Sequence, residues 1–528
     1  MRTSDSPHID CFVDESLSSP EAFRKVDILL KCKYRGVNNN KNIMLMEKCR
    51  YLYGASIQGI QSFIFQTDRL KDIVGASELV EQACTEVFRN EFFDEKTCEL
   101  IVSAAGNVKC VFPDENMCRK AVLSFPKRVM EKAPGVTISQ AVVRMTDDDF
   151  SGAIDELERR LHSQRNRRSK PLAYGLMAME RCRRTGMPSI NAIGAKDRID
   201  EGCYLKGKAL VDSANSKGAT SKLYEKLYGC HVSLKNATDI TTLTGQNDWI
   251  AIVHADGNGL GEVVANIGKN PGKLKQFSEK LNEATIKSAQ AACKECLGDT
   301  NELLVRPVVI GGDDLTVVCR ASIAVGFVNS YLRNFEKNSL DLTNHALTAC
   351  AGIAFIKSSY PFSYGYNLAE TLCGVAKKDA KSAEMKYANG GKAPSCLMFH
   401  KVQSSFIEDY GVIERKELTA SDDCSFRFGP YYLDKQKDRW TIDMLQYDAD
   451  VLSMESNNAI KTSVREWLTL MGESRGKALQ KENRVNMLDR YTREQKDLFV
   501  ELTAERKGKR FPAYDVLALQ TIKNQVTK

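Results

Sequence analysis

Three aspartates carry the clearest chemical signal in this sequence. Asp313 and Asp314 follow Gly311 and Gly312, and this tetrapeptide lies between two apolar runs, 308–310 and 315–318. The pattern predicts a β-hairpin with two carboxylates at its tip. Glycine supplies the positive φ of a tight turn and lets a bound molecule approach the backbone. Adjacent carboxylates repel one another, and a cation between them removes that cost. Upstream, another apolar run, 250–253, ends in His254, Ala255, Asp256, Gly257, Asn258 and Gly259. A strand there delivers a third carboxylate into a glycine-rich loop. Asp256, Asp313 and Asp314 together read as ligands for divalent metal, Mg²⁺ or Mn²⁺, with two ions per site.

The intervening chain has to fold so that these carboxylates meet. Over 273–296, Leu274, Phe277, Leu281, Ala284, Ile286 and Ala289 recur near the helical period. A strand over 303–310, the turn and a returning strand to Arg320 come next. A helix over 322–337, a strand over 346–355, a helix over 364–381 and a short strand near 396–400 complete the series. The order β-α-β-β-α-β is the ferredoxin-like half-fold, an antiparallel sheet with helices on one face. Its first strand and its central hairpin are neighbours, which brings Asp256 towards Asp313.

The chain also repeats itself. Residues 51–59 line up with 251–259, residues 100–112 share the strand–turn–strand character of the aspartate hairpin, and 70–88 read as the helix between. The positions of this first unit that match the aspartates hold Ser56, Gly106 and Asn107. None offers a charged oxygen, which a hard cation prefers, so the first unit is expected to be catalytically silent. The expected class is therefore α+β, with two tandem ferredoxin-like palm domains and a helical C-terminal domain. The expected organisation is an N-terminal extension (1–48), a degenerate first palm (49–150), a linker or helical insertion (151–245), a catalytic second palm (246–405) and a helical domain (406–528).

Several motifs resemble a known family. Gly59-Ile60-Gln61-Ser62-Phe63-Ile64-Phe65 and Gly75-Ala76-Ser77-Glu78-Leu79 are similar to the first palm in the large subunit of type III CRISPR effector complexes. The Asp256 loop, the 311–314 hairpin, Ala351-Gly352-Ile353 and Ala376-Lys377-Lys378 resemble that family's second palm, a relative of GGDEF-type and adenylyl cyclase-like domains. The resemblance covers roughly 49–405. It implies conversion of ATP into cyclic oligoadenylate, a second messenger of antiviral defence, when a complex binds target RNA. It further implies that Gly257, Asn258, Gly259, Gly311 and Gly312 bind the triphosphate with the metal, and that Lys377 or Lys378 offers charge to phosphate. A viral RNA polymerase fits less well, because its second carboxylate five residues after the first would fall on Gly261, with Glu262 beside it.

Composition narrows the context. The chain has 528 residues, 43% of them hydrophobic, 17 cysteines, 6 histidines and a formal net charge of +7. No run of apolar residues approaches a membrane span, and the opening residues are polar. A cytoplasmic protein with reduced thiols and no membrane partner is the expectation. The few histidines include no His-Asp pair, so the DNA-cutting HD domain of many relatives is not expected. Cys182 reads like a zinc C-x-x-C motif whose second cysteine is Thr185, which leaves Cys203, Cys230 and His231 as scattered ligands. Zinc is accordingly not expected in a degenerate module there. Cys293 and Cys296 read as packed thiols on a helix. The arginine-rich stretch with Arg159, Arg160, Arg165, Arg167, Arg168, Lys170, Arg181, Arg183 and Arg184 reads either as an RNA groove or as a solvated helix face. Residues 506–510 read as a solvated turn, and 441–502 as a compact bundle.

Metal-assisted nucleotidyl transfer on ATP is the expected activity. Guide or target RNA and other CRISPR effector subunits, or self-association, are the expected partners. A non-catalytic scaffold of a CRISPR-type ribonucleoprotein and a stand-alone cyclic dinucleotide synthase are the alternatives.

Overall fold

The structure is a computed structural model. It describes residues 50–523 apart from 105, 146–149, 167–177, 191–196, 216–221, 231–240, 245–247, 268–269, 299–301, 405–407 and 422–423. The extension 1–48, Arg167, Arg168, Lys170 and His231 thus lie outside the described residues.

Two sheets organise the chain, and they have the same order. In the first, β1 (Arg50–Gln58), β2 (Glu99–Ala104), β3 (Asn107–Phe112) and β4 (Thr137–Met145) run β2-β3-β1-β4. In the second, β5 (Trp249–Asn258), β6 (Val305–Gly311), β7 (Asp314–Arg320), β8 (Thr348–Lys357), β9 (Cys396–Lys401) and β10 (Tyr431–Tyr432) run β10-β9-β8-β5-β7-β6. The registers agree as well as the order. Ser56 stands opposite Asn107 on β3 and Ser139 on β4. On β5, Ala255 stands opposite Leu315 of β7, and Asp256 stands opposite Cys350 of β8. Buried valine, isoleucine and alanine along β5, β7 and β8 explain why these strands occupy the sheet centre.

The helices follow the apolar periodicity. In the first half, α1 (Ile60–Ile64) and α2 (Leu70–Gln82) follow β1, and α3 (Glu115–Lys132) follows β3. The helix expected over 70–88 continues past α2 through a π-helical turn, Ala83–Val87, to Phe92. The α4 helix (Phe150–Arg165) lays Phe150, Ile154, Leu157 and Leu161 on Leu52, Val111 and Val143 of the first sheet. Then come α5 (Glu201–Asn215) and α6 (Lys222–Tyr228). Gly75 lets α2 meet α5 closely, because a Cβ there would overlap the Lys206 carbonyl.

In the second half, α7 (Leu260–Ile267) and α8 (Pro271–Leu297) follow β5, and α9 (Ala324–Thr343) follows β7. Cys293 is buried and Cys296 half-buried on α8. The next helix, α10 (Phe362–Ala380), packs on the face of β5 that carries Ile252, His254 and Asp256. It can do so only because β8 has Gly352 at the crossing. A Cβ there would overlap the Ala369 carbonyl and lie 2.5 Å from the Cys373 nitrogen.

Beyond β10, which adds a two-residue edge to the palm sheet, stand α11 (Ile442–Ser453), α12 (Asn458–Glu473), α13 (Arg475–Met487), α14 (Arg493–Thr503) and α15 (Ala513–Lys523). Trp467, Phe499 and Phe511 fill their core. The α+β class with two palms and C-terminal helices is the observed one. Among the described residues, no helix is long and apolar enough to cross a membrane.

The close crossing at Gly352 yields a stability prediction. Gly352→Ala must push α10 off the sheet, at a cost of about 1–3 kcal/mol for overpacking. Urea denaturation of the full chain should show that loss. An unchanged midpoint would mean that α10 is not held at this crossing.

Candidate active site

The loop after β5 and the β6–β7 hairpin bring the three aspartates together. Asp256 is near the end of β5, Asp313 is in the two-residue turn, and Asp314 is the first residue of β7. One carboxylate oxygen from each lies within 4.8 Å of the others. Gly312 turns the hairpin with φ of 64°. Gly257 makes room for it: a Cβ there would stand 2.9 Å from Asp313 Cβ and 2.8 Å from Leu260 Cδ1. The hairpin is anchored from α8, where Thr285 Oγ1 donates to the Gly312 carbonyl at 2.6 Å and Asn282 Oδ1 accepts from its amide at 3.2 Å.

Of the two lysines that the sequence offers, Lys377 enters the cluster. Its ammonium pairs with the Asp256 carboxylate and donates to the Gly257 carbonyl at 2.7 Å. Lys378, the next position round the helix, is exposed. The phosphate-binding glycines and Asn258 are placed unevenly. Gly312 spends its amide and carbonyl on α8, and Gly311 pairs with Asp314 in the hairpin ladder. Asn258 turns its side chain inward, with Nδ2 3.1 Å from Thr348 Oγ1 and 3.2 Å from Cys350 Sγ. Gly259, at φ of 74°, opens α7. Gly257 and Asn258 close β5 opposite Ala349 and Thr348 of β8, so the loop itself begins at Gly259.

The electrostatics are those of crowded acids. Burial, then the negative charge of Asp256, pushes the Asp313 carboxyl up to about 6. Burial, then Asp313 and Asp256, pushes Asp314 up to about 7. Burial is the largest single influence on Lys377 and lowers it, but the hydrogen bond to Asp256, the Asp256 charge and the nearby Cys373 and Cys350 together outweigh burial and raise it. Glu370, at the rim on α10, is raised by desolvation and by Asp256. Sequence reading missed Glu370, and also Thr285 and Asn282. The signal for Glu370 was its place on the same face of α10, two turns before Lys377.

The first sheet holds a different arrangement at the matching register. Ser56 is buried, and Arg165 Nη2 donates to its hydroxyl at 3.2 Å. A guanidinium from α4 thus stands where the second sheet collects carboxylates. Among the described residues, other arginines of the basic stretch are also engaged. Arg159 and Arg160 pair with Glu156 at 2.7 and 2.6 Å, and Arg184 reaches buried Asp72 at 3.1 Å. In the 506–510 turn, Arg506 pairs with Glu501 and Lys507 with Glu384, at 2.6 and 3.0 Å.

A second set of potential metal ligands stands between the sheets in sequence. Cys182, Asp200 and Cys203, all buried, present ligand atoms within 4.8 Å of one another, while Cys230 is exposed. Thr185 Oγ1 donates to Asp200 Oδ2 at 2.5 Å, and Asp200 Oδ1 accepts from the Cys203 amide at 2.8 Å. Sequence reading found both cysteines and missed Asp200, because an aspartate three residues before a cysteine looks like an ordinary start to α5.

The raised carboxyls set a pH dependence. Both folded values exceed the ordinary 3.8, so the folded state favours protons that the unfolded chain has already released. Stability of the metal-free protein should therefore fall as pH rises from about 4 through 7. In EDTA, Asp313→Asn should flatten that fall, and Mn²⁺ should restore the parent near pH 7.5. Parallel pH profiles for the parent and the variant would contradict this.

The comparisons with known proteins fit the geometry. Residues 249–385 match the family described as Cas10/Cmr2, second palm domain. No curated protein sequence matches the chain. A Csm1–Csm4 cassette in complex with cA4 is similar at 13% identity and a TM-score of 0.56, over 91% of this chain and 70% of that one. The same cassette with one ATP is similar at 13% identity and 0.54, over 92% and 70%. The Csm1–Csm4 subcomplex of a type III-A CRISPR-Csm interference complex is similar at 13% identity and 0.52, over 93% and 72%. The chain thus carries a Cas10/Cmr2-like second palm at 249–385, which holds all three aspartates, within a fold shared with Csm1.

Proposed function

We propose that this chain is a metal-dependent nucleotidyl transferase that joins ATP into a cyclic oligoadenylate. The observation that carries the reading is the convergence of Asp256, Asp313 and Asp314 within 4.8 Å on the second sheet, while the described residues of the first sheet gather no such group. Their raised carboxyls fit a divalent ion, since like charges this close are stable together only with a cation or with protons. The similar Csm1–Csm4 structures were solved with ATP, with cA3 and with cA4, which supports adenine as the base and a ring as the product. Their partner chain, Csm4, supports the further reading that this protein works beside another subunit.

Two divalent ions held by the aspartates would lower the pKa of a ribose hydroxyl and neutralise the departing pyrophosphate. The chain's own groups do the remaining work. Asp256 and Asp313 fix the attacking end of the site, and Asp314 orients the cluster from the start of β7. Lys377 neutralises Asp256 before substrate arrives. Its ammonium, on a flexible stem, can then move to a phosphate oxygen. The left-handed turn at Gly259 would offer backbone amides to the triphosphate. Catalysis by position and charge requires no covalent nucleophile.

The test is incubation of the full chain with labelled ATP and Mg²⁺ or Mn²⁺, with and without RNA, followed by chromatography. Asp313→Ala with Asp314→Ala should abolish product while leaving the metal-free fold as stable or more so. Ser56→Ala should stay within a few-fold of the parent, whereas Asp256→Ala should remove activity. Product from the hairpin double variant above trace would overturn the assignment. Equal damage from Ser56→Ala and Asp256→Ala would place the chemistry in the wrong palm. Lys377→Ala should slow turnover roughly a hundredfold, the cost of losing one preorganised charge. A Lys377→Ala enzyme of parental rate would leave that residue a structural role only.

A further inference from the structure

The far end of β5 carries a second concentration of charge, opposite in sign to the first. A cavity of about 990 Å³ lies where the start of β5, the ends of β8 and β9, α12 and α15 converge. Trp249 at its wall and Asp256 are seven residues apart on one strand, roughly 23 Å at the rise of an extended chain. The cavity is therefore separate from the aspartate cluster.

Its lining brings Lys357, Lys401 and Arg465 together with a single carboxylate, Glu417. Lys401 meets a hydroxyl and an indole rather than an acid: Nζ donates to Thr521 Oγ1 at 2.6 Å and stands 4.6 Å from the centre of the Trp249 ring. Lys357 stands over the same ring, also at 4.6 Å. Two ammonium groups on one indole, with an arginine close by, repel each other. Burial, then Lys357 and Arg465, lowers Lys401 to about 8. A fold that only needed these residues for packing would do better with neutral ones. A multiply charged anion in the cavity converts the repulsion into attraction, and Arg465, exposed on α12, can grip it bidentately. The volume lies at the upper end of the range for small-ligand sites, which suits a nucleotide with its phosphates.

We infer that this cavity is a binding site for a polyphosphate anion, either the triphosphate of a nucleotide or free pyrophosphate, held by Lys357, Lys401 and Arg465. It lies between the palm sheet and the C-terminal helices, so occupancy ties β5, β8 and β9 to α12 and α15. The inference stands independently of catalysis, since none of its residues belongs to the aspartate cluster.

The experiment titrates pyrophosphate, tripolyphosphate and ATP into the full chain carrying Asp313→Ala and Asp314→Ala, in EDTA, which removes metal-dependent binding at the other site. Heat of binding and tryptophan fluorescence are read together, because an anion that draws the lysines off Trp249 must change its emission. Saturable binding is expected, weakened at least tenfold by Lys401→Gln with Arg465→Gln. Arg465→Glu alone, at an exposed position, should weaken binding without unfolding the chain. Lys337→Gln with Lys435→Gln, which removes equal charge at exposed sites, should leave it unchanged. Preference for ATP over tripolyphosphate would assign the nucleotide, and equal affinity would assign the phosphate chain alone. Absence of saturable binding, equal binding by the Lys401 and Arg465 variants, or displacement by an RNA lacking terminal phosphates would overturn the proposal.

Discussion

Three carboxylates crowded onto one end of a sheet are the constraint to which the second palm is built. Left alone, Asp256, Asp313 and Asp314 would drive the hairpin away from β5. The fold resists by anchoring the Gly312 turn to Thr285 and Asn282, by removing the Cβ at 257, and by bringing Lys377 against Asp256. Lys377 can reach because α10 lies close on the sheet at Gly352. Stability has thus been yielded locally so that charge can be concentrated, a pattern common at sites that bind metal and phosphate.

The first palm shows what happens when that constraint is lifted. Strand order and register match those of the second, yet Ser56 faces an arginine and Asn107 is neutral. The half remains essential to the structure of its neighbour. Phe65, just after α1, stacks on Tyr366 of α10 at 4.7 Å, and Asp68 Oδ1 accepts from the Phe362 amide at the start of that helix at 2.9 Å. Tyr366 in turn stands edge-on to His254, two residues before Asp256. The first palm therefore supports the helix that carries Lys377.

Much of this was legible in the sequence, for reasons that lie in particular residues. The β-α-β-β-α-β order could be read because its strands are continuous apolar runs and its helices keep a clean period, as over 274–289. The aspartate cluster could be read because the 311–314 turn follows, after one helix and one strand, an apolar run that ends in Asp256-Gly257-Asn258-Gly259. The choice between Lys377 and Lys378 could not, since it depends on how α10 is rotated against β5. Nor could the pairing of Gly312 with Asn282 and Thr285, which joins residues far apart in the chain. Asp200 stayed hidden because its capping role is ordinary for a helix start, while its nearness to Cys182 comes from tertiary packing. The basic stretch stayed open between a groove and a solvated face for the same reason: only the fold shows that Arg159, Arg160 and Arg184 already have acidic partners.

The most direct measurement is Mn²⁺ binding to the full chain, followed by electron paramagnetic resonance with a non-hydrolysable ATP analogue present. Convergence of the three aspartates on divalent metal predicts two tightly bound ions per chain, and loss of both in Asp256→Ala with Asp313→Ala. The same stoichiometry and affinity in that variant would show that the cluster does not hold the metal, and would contradict the account at its centre.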